Sequence, residues 1–295
     1  MTWAFEYAND VLEAIEGATP TPGGWYRVPC PVCRDRGGHN DTKKKLSVNA
    51  DNGYYQCFRA DCGIRGFTLL SERHLVKGKR QEEKSDGKVP LPEEYFPLDV
   101  ANKTSSLSLR PYFSYLEGRG ITDRIIQGAH IGVCFRGRYA AKVIVPVHQG
   151  GQVVGFTSRS IADKVYMNPP GFMRTKFMLN GDALLEETDC PVVIVEGPFD
   201  CLRHWPHAVA CFGKPTSHHI ALIRQAKRPV VIGLDADAQM EGWGLAMTLE
   251  LSGQNIRWMG LRPGTDPGKT PHDEFMAWAL SAPKPSAIDP DRYRA

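Results

Sequence analysis

No run in the 295-residue sequence approaches the 18 or more consecutive apolar residues that a membrane-spanning helix needs. Glu6, Asp10 and Glu13 also break up the region where a secretory signal would place its apolar segment, so a cytoplasmic protein with no membrane partner is expected. Nor is the composition that of a disordered chain: 42% of the residues are hydrophobic and 23% charged, enough for a sizeable buried core. Internal repeats are lacking as well. So is a complete phosphate-binding P-loop. Gly264-Thr-Asp-Pro-Gly-Lys-Thr270 ends correctly, but the first glycine of G-x-x-x-x-G-K-[ST] would fall on Pro263, which argues against an ATPase or helicase motor. Finally, acidic residues are scarce in one block. Residues 101–180 hold 3 Asp+Glu against 11 Lys+Arg, a net +8, whereas residues 181–295 hold 15 against 11, a net −4. A basic block followed by an acidic one fits a surface that holds a polyanion beside one that holds cations, although a merely solvated basic face gives the same count.

What is present divides into five stretches. Trp3, Ala4, Ala8, Val11, Leu12 and Ile15 are apolar at helical spacing and predict a helix over 3–16, which opens a unit, residues 1–70, that also holds a cysteine-bearing module. Residues 71–100, centred on the charged, proline-closed segment 77–92, read as a linker. Residues 101–185 form a mixed α+β basic subdomain, helix-like over 112–116 and strand-like over 141–147 and 152–156 around Gly150-Gly151. In residues 186–281 short apolar strands (191–195, 208–212, 229–234 and 256–261) alternate with helices (198–205, 217–226, 240–251 and 271–280). That alternation implies an α/β fold, a parallel sheet covered on both faces. Residues 282–295, rich in proline, read as a flexible tail.

Cys30 and Cys33 form one C-x2-C pair, and Cys57 and Cys62 form a second, separated from the first by 23 residues. Four soft thiolates in two local pairs can close a tetrahedron on a structural Zn(II); a redox or purely structural cysteine pair is the plainer alternative. Between the pairs, two strand-like runs flank Asp51-Asn52-Gly53, a hairpin-turn sequence, and together these features describe a zinc ribbon. His39 is a substitute ligand candidate, and Cys134, Cys190, Cys201 and Cys211 are isolated on apolar stretches and expected as core thiols. Arg34, Arg36, Lys43, Lys44, Lys45, Arg59 and Arg65, with Trp25, Tyr54, Tyr55 and Phe58, offer phosphate partners and stacking platforms for single-stranded nucleic acid. A solvated basic face over a small aromatic core would account for several of them equally.

Acidic residues follow the apolar strands of the last third. Glu196 ends the first strand and Asp200 lies four residues on; Asp235 and Asp237 end the third; Asp266 follows the fourth. Strand ends in a parallel sheet share one rim, so five carboxylates can converge there and would repel one another without a cation. Hard divalent ions, Mg(II) or Mn(II), relieve that repulsion and support phosphoryl or nucleotidyl transfer. Any one of these acids alone would pass as a surface turn residue.

Glu196-Gly-Pro-Phe-Asp200, Gly233-Leu-Asp-Ala-Asp237 and Arg262-Pro-Gly-Thr-Asp-Pro267 together resemble the TOPRIM fold of primases, topoisomerases and some nucleases. With the cysteine module in front, and with Gly155-Phe-Thr-Ser-Arg159, Tyr166-Met-Asn-Pro169 and 176–181 between, the chain over about residues 25–280 is similar to the bacterial and bacteriophage DNA primase family. The resemblance implies an N-terminal zinc ribbon, a basic α+β subdomain and a TOPRIM-type parallel α/β catalytic core, over 1–70, 101–185 and 186–281. It implies template-directed synthesis of short RNA primers, with Glu196, Asp235 and Asp237 catalytic and Asp200 and Asp266 helping to hold magnesium. Arg138, Lys142, Arg159, Lys164, Asn168 and Lys176 would line a groove for single-stranded DNA template and ribonucleoside triphosphates. Two departures stand out: Val165 where a basic residue is common, which leaves Lys164 displaced, and Gly268 where a further aspartate is common. The family's helicase-associated domain is not expected after residue 281, so a replicative helicase would act in trans, a plan that fits a bacteriophage primase in the host cytoplasm. The rival readings are a TOPRIM nuclease or topoisomerase-like enzyme and a non-catalytic zinc and TOPRIM DNA-binding mediator of recombination.

Overall fold

The computed structural model describes residues 7–16, 18, 21, 25–33, 44–50, 53–59, 62–68, 86–104, 106–163, 165–261 and 264–288. Among them no helix is long and apolar enough to cross a membrane. Three sheets carry the fold. The first is antiparallel, β1 (Trp25–Val28), β2 (Leu46–Asn49), β3 (Tyr54–Cys57) and β4 (Arg65–Phe67) in sequence order, with helix α1 (Ala8–Ile15) beside β1. Val11 and Ile15, four apart on one face of α1, join Tyr26, Val28, Leu46, Val48 and Tyr55 in a small core that also takes in Cys30, Cys33 and Cys57. Tyr55, expected as a stacking platform, is fully buried there, because the strand alternation that exposes one neighbour turns the next inward. Phe58 is 59% exposed and remains available. His39, Arg34, Arg36 and Lys43 lie outside the described residues.

The second sheet is antiparallel: β5 (Phe96–Pro97), β6 (Gly132–Cys134), β7 (Lys142–Gln149), β8 (Gln152–Ser160) and β9 (Tyr166–Met167). Helices α2 (Arg110–Glu117) and α3 (Asp123–Gly128) precede β6. The β7–β8 hairpin turns on Gly150 and Gly151, at φ +59° and +73°, a left-handed pair that glycine adopts without strain. Their two N–H groups donate to the Asp182 carboxylate at 2.8 and 3.0 Å and so tie the hairpin tip to the segment leading into the third sheet.

The third sheet is parallel, in the order β11 (Ala208–Ala210), β10 (Val192–Val195), β12 (Val230–Ile232), β13 (Ile256–Trp258). Strands β11, β10 and β12 are apolar and buried on both faces, whereas β13 at the edge exposes Arg257. Val193 and Val195 face one core, shared with α4 (Pro198–Arg203), α7 (His272–Ser281) and the basic subdomain. Val192 and Ile194 face a second core under α5 (Ser217–Ile223) and α6 (Gln239–Leu251).

Two expectations from composition are corrected. Residues 86–100, read as the end of the linker, pack: the Val89 N–H donates to the Val154 carbonyl at 3.0 Å, β5 pairs with β6, and Leu98 is buried. Residues 282–288, read as tail, pack as well, because proline keeps its carbonyl acceptor. The Trp258 N–H donates to Pro283 at 3.0 Å and the Trp243 indole to Pro285 at 3.2 Å. Low apolar content hid both segments.

Candidate active site

Ile194 and Ile232 are in register in the parallel ladder, so whatever follows β10 and β12 emerges on one rim. Glu196 and the Asp235-Ala-Asp237 turn emerge there, and the ligand oxygens of Glu196, Asp235 and Asp237 lie within 4.8 Å of one another. The Asp235 N–H donates to Glu196 Oε1 at 3.3 Å. Asp200, one turn into α4, stands next to this trio, close enough for the charges of Asp235 and Asp266 to act on it. Asp266 caps the 3-10 turn Pro267–Lys269 by accepting from the Gly268 N–H at 2.9 Å and pairs with Lys269 at 3.0 Å. The loop is fastened to α4 from below. Arg203 Nε donates to the Thr270 carbonyl at 2.7 Å, and the ring Nε2 of fully buried His204 to that of Pro267 at 2.8 Å. Neither fastener was legible in the motifs.

Gly268 has a steric reason here: a Cβ at that position would run into the Asp200 carboxylate, and one at Gly197 would meet the same carboxylate from the other side. Both glycines leave room for the Asp200 carboxylate at the rim, which a side chain at either position would displace.

The electrostatics are those of carboxylates that repel one another. Burial, then the Asp235 carboxylate, push Glu196 up to about 7. Burial, then Asp235 and Asp266, push Asp200 up to about 7, against the pull of Arg159. Burial followed by Asp237 and Asp266 also raises Asp235. Oxygen-only and mutually repelling, with Glu196 and Asp235 half-buried and Asp237 exposed, the trio fits a hard divalent ion. A stability signature follows. Between the ordinary carboxylate range and about 7 the folded chain holds protons that the unfolded chain has lost, so stability falls as pH rises through that window. The metal-free protein is expected to melt lower at about pH 8 than at about pH 5.5 on this account, and magnesium to raise the melting temperature more at the higher pH. Differential scanning fluorimetry checks it; an equal magnesium shift at both pH values would contradict the assignment.

Of the basic candidates, Arg159 reaches the rim. Its guanidinium lies 4.4 Å from the centroid of the Tyr166 ring and 4.9 Å from that of Phe199, the residue before Asp200, and it hydrogen-bonds the Tyr166 hydroxyl. Arg119, not predicted, continues the array over Tyr115 and Phe199 at 4.9 and 5.5 Å. Buried Asn168 Oδ1 and Arg159 Nε have no hydrogen-bond partner among the described residues. Lys142 begins β7 opposite Ser160, Arg138 is exposed on the turn Gly137–Tyr139, and Lys176 stands near Asp86. Lys164 lies outside the described residues.

In the cysteine module the four Sγ atoms of Cys30, Cys33, Cys57 and Cys62 converge within 4.8 Å, with Cys30–Cys62 and Cys33–Cys57 both at 3.8 Å. A tetrahedron of thiolates at the usual Zn–S bond length of about 2.3 Å has an edge of about 3.8 Å, so the spacing fits zinc. Burial pushes the Cys57 thiol up to about 11 and raises Cys30 as well, whereas at Cys62 hydrogen bonds from the Ile64 backbone and the neighbouring thiols outweigh burial and lower it, so a bound cation would have to draw the Cys30 and Cys57 protons off.

No family model matches the chain, and no curated protein matches it. Solved structures do. The catalytic domain of a DnaG primase bound to single-stranded DNA superposes with a TM-score of 0.53 at 22% identity, over 63% of this chain and 76% of that one. The Escherichia coli primase catalytic core gives 0.50 at 21%, over 63% and 77%. The zinc-binding and RNA polymerase domains of the Aquifex aeolicus primase give 0.51 at 18%, over 96% of this chain and 86% of that one. The fold is that of a DnaG-type primase. The Aquifex match extends the primase fold through the cysteine module, in keeping with an architecture of cysteine module plus parallel α/β core.

Proposed function

We propose that the protein is a DNA primase, a nucleotidyltransferase that copies single-stranded DNA into short RNA primers. The observation that carries this reading is the convergence of Glu196, Asp235 and Asp237 within 4.8 Å on the rim of the parallel sheet, in a chain with the primase fold. Glu196, Asp235 and Asp237 would hold Mg(II) or Mn(II), with Asp200 and Asp266 beside them. Such ions, when bound, activate an attacking hydroxyl and stabilise the departing pyrophosphate. Arg159, fixed against Tyr166 and Phe199, presents a guanidinium to phosphate oxygens at the edge of the acidic rim. Arg138, Lys142, Lys164, Asn168 and Lys176 would guide template and ribonucleotides along the net +8 block. The zinc ribbon, with exposed Phe58 near Lys45, supports selection of a start site on single-stranded template. A separate replicative helicase, a primosome and a bacteriophage origin belong to the same reading.

Purified protein incubated with single-stranded DNA, ribonucleoside triphosphates and magnesium is expected to make short RNA. Nicked DNA in place of RNA would mark a TOPRIM nuclease, and DNA binding with no incorporation would mark a recombination mediator.

A further inference from the structure

The acidic rim has a second cation near it. Lys214 follows Gly213, whose N–H donates to the Glu196 carbonyl at 3.0 Å, so the chain leaving β11 delivers Lys214 to the same strand-end rim. Its ammonium is ion-paired with Glu241 in the first turn of α6, and its side chain is 57% exposed. Burial works against the charge on Lys214, but the Glu241 bond and the carboxylates of Glu196 and Asp237 outweigh it and keep the ammonium protonated. The charge of Arg159 acts in the same way on Asp200. The acids are therefore accompanied by one cation from the basic subdomain, beside Asp200, and one from the parallel sheet, near Glu196 and Asp237.

We propose that Lys214 is a ligand for the triphosphate of the incoming nucleotide and for the pyrophosphate released from it, with Glu241 its partner when no nucleotide is bound. This rests on the nucleotidyl-transfer reading above and adds a residue to it. A polyphosphate brings more negative charge than the metal site alone balances, and a compact ammonium with three donors on a flexible stem suits its terminal oxygens. Exposed ion pairs contribute little to folding, so exchanging Glu241 for phosphate is inexpensive and a purely structural role for the pair is small. Lys214 transfers no proton and forms no covalent bond; it neutralises charge.

The test uses the full chain. Lys214→Met is expected to raise KM for ribonucleotides about tenfold or more, and to weaken calorimetric binding of magnesium ATP and magnesium pyrophosphate by a similar factor. Melting temperature and affinity for single-stranded DNA should stay unchanged, and Lys214→Arg should recover most of the loss. Glu241→Gln breaks the same ion pair but keeps the ammonium, so it should not raise KM. A Lys214→Met enzyme within twofold of wild type in KM and nucleotide binding overturns the proposal, as does an equal rise in both variants, which would make the pair structural. Wild-type protein that neither makes RNA nor binds magnesium ATP overturns the nucleotidyl-transfer reading itself, and this proposal with it.

Discussion

Asp235→Asn or Glu196→Gln is expected to cut magnesium-dependent RNA synthesis by about a thousandfold or more, equivalent to about 4 kcal/mol of transition-state stabilisation, with little loss of template affinity. Each substitution keeps the shape of the side chain. In Glu196→Gln the new amide would still present a carbonyl oxygen to the Asp235 N–H, which now donates to Glu196 Oε1 at 3.3 Å, so the rim should survive. What is lost is one negative charge from a trio whose ligand oxygens lie within 4.8 Å of one another. Because burial and its neighbours already push Glu196 up to about 7, removing its charge relieves repulsion and should raise the melting temperature of the metal-free protein above neutral pH. Loss of synthesis together with a gain in stability is the pattern of a site held against its own folding preference. A primer-synthesis assay, fluorescence anisotropy with single-stranded DNA and a melting curve on the same preparation check all three. Full residual synthesis would refute the catalytic assignment.

The parallel sheet was legible because its strands are short, apolar and bounded by acids and glycines: 191–195 predicts Val192–Val195 within one residue, and 240–251 predicts Gln239–Leu251 as closely. The site was legible for the same reason, since in-register parallel strands deliver whatever follows them to one rim. Strands β1, β4, β5 and β6 were not anticipated; they are two to four residues long, too short for an apolar alternation to show. Arg119 was missed because its role depends on stacking over Phe199, 80 residues away, at 5.5 Å. Arg203 and His204 act through backbone carbonyls of the 266–270 loop, and a carbonyl leaves no mark in the sequence. Tyr55 was misread because composition says that an aromatic is present but not which face of its strand it takes.

Cys30→Ser should empty the zinc site and, with it, the structure of the ribbon. The module's core is small, built from α1 and four strands of three or four residues, and three of the four cysteines are themselves among its buried residues. A core of that size cannot offset the chain entropy lost on folding, and a structural zinc site contributes on the order of 10 kcal/mol, so the metal decides whether the module folds. Serine supplies a hard, protonated hydroxyl where a soft thiolate is needed, and it leaves Cys62, now 3.8 Å from Cys30 Sγ, without its partner. The expected outcome is zinc content falling from one per chain to near zero, and loss of hydrogen-exchange protection over Leu46–Asn49 and Tyr54–Cys57. The parallel sheet draws its stability from two apolar cores to which the ribbon adds only the partly buried Tyr54, so its amides should stay protected. Primer initiation should then fail while extension of a supplied primer survives better, because the acidic rim is built without any ribbon residue. Zinc release, exchange mass spectrometry and paired initiation and extension assays read these effects separately. Equal damage to initiation and extension would contradict the division of labour between ribbon and rim.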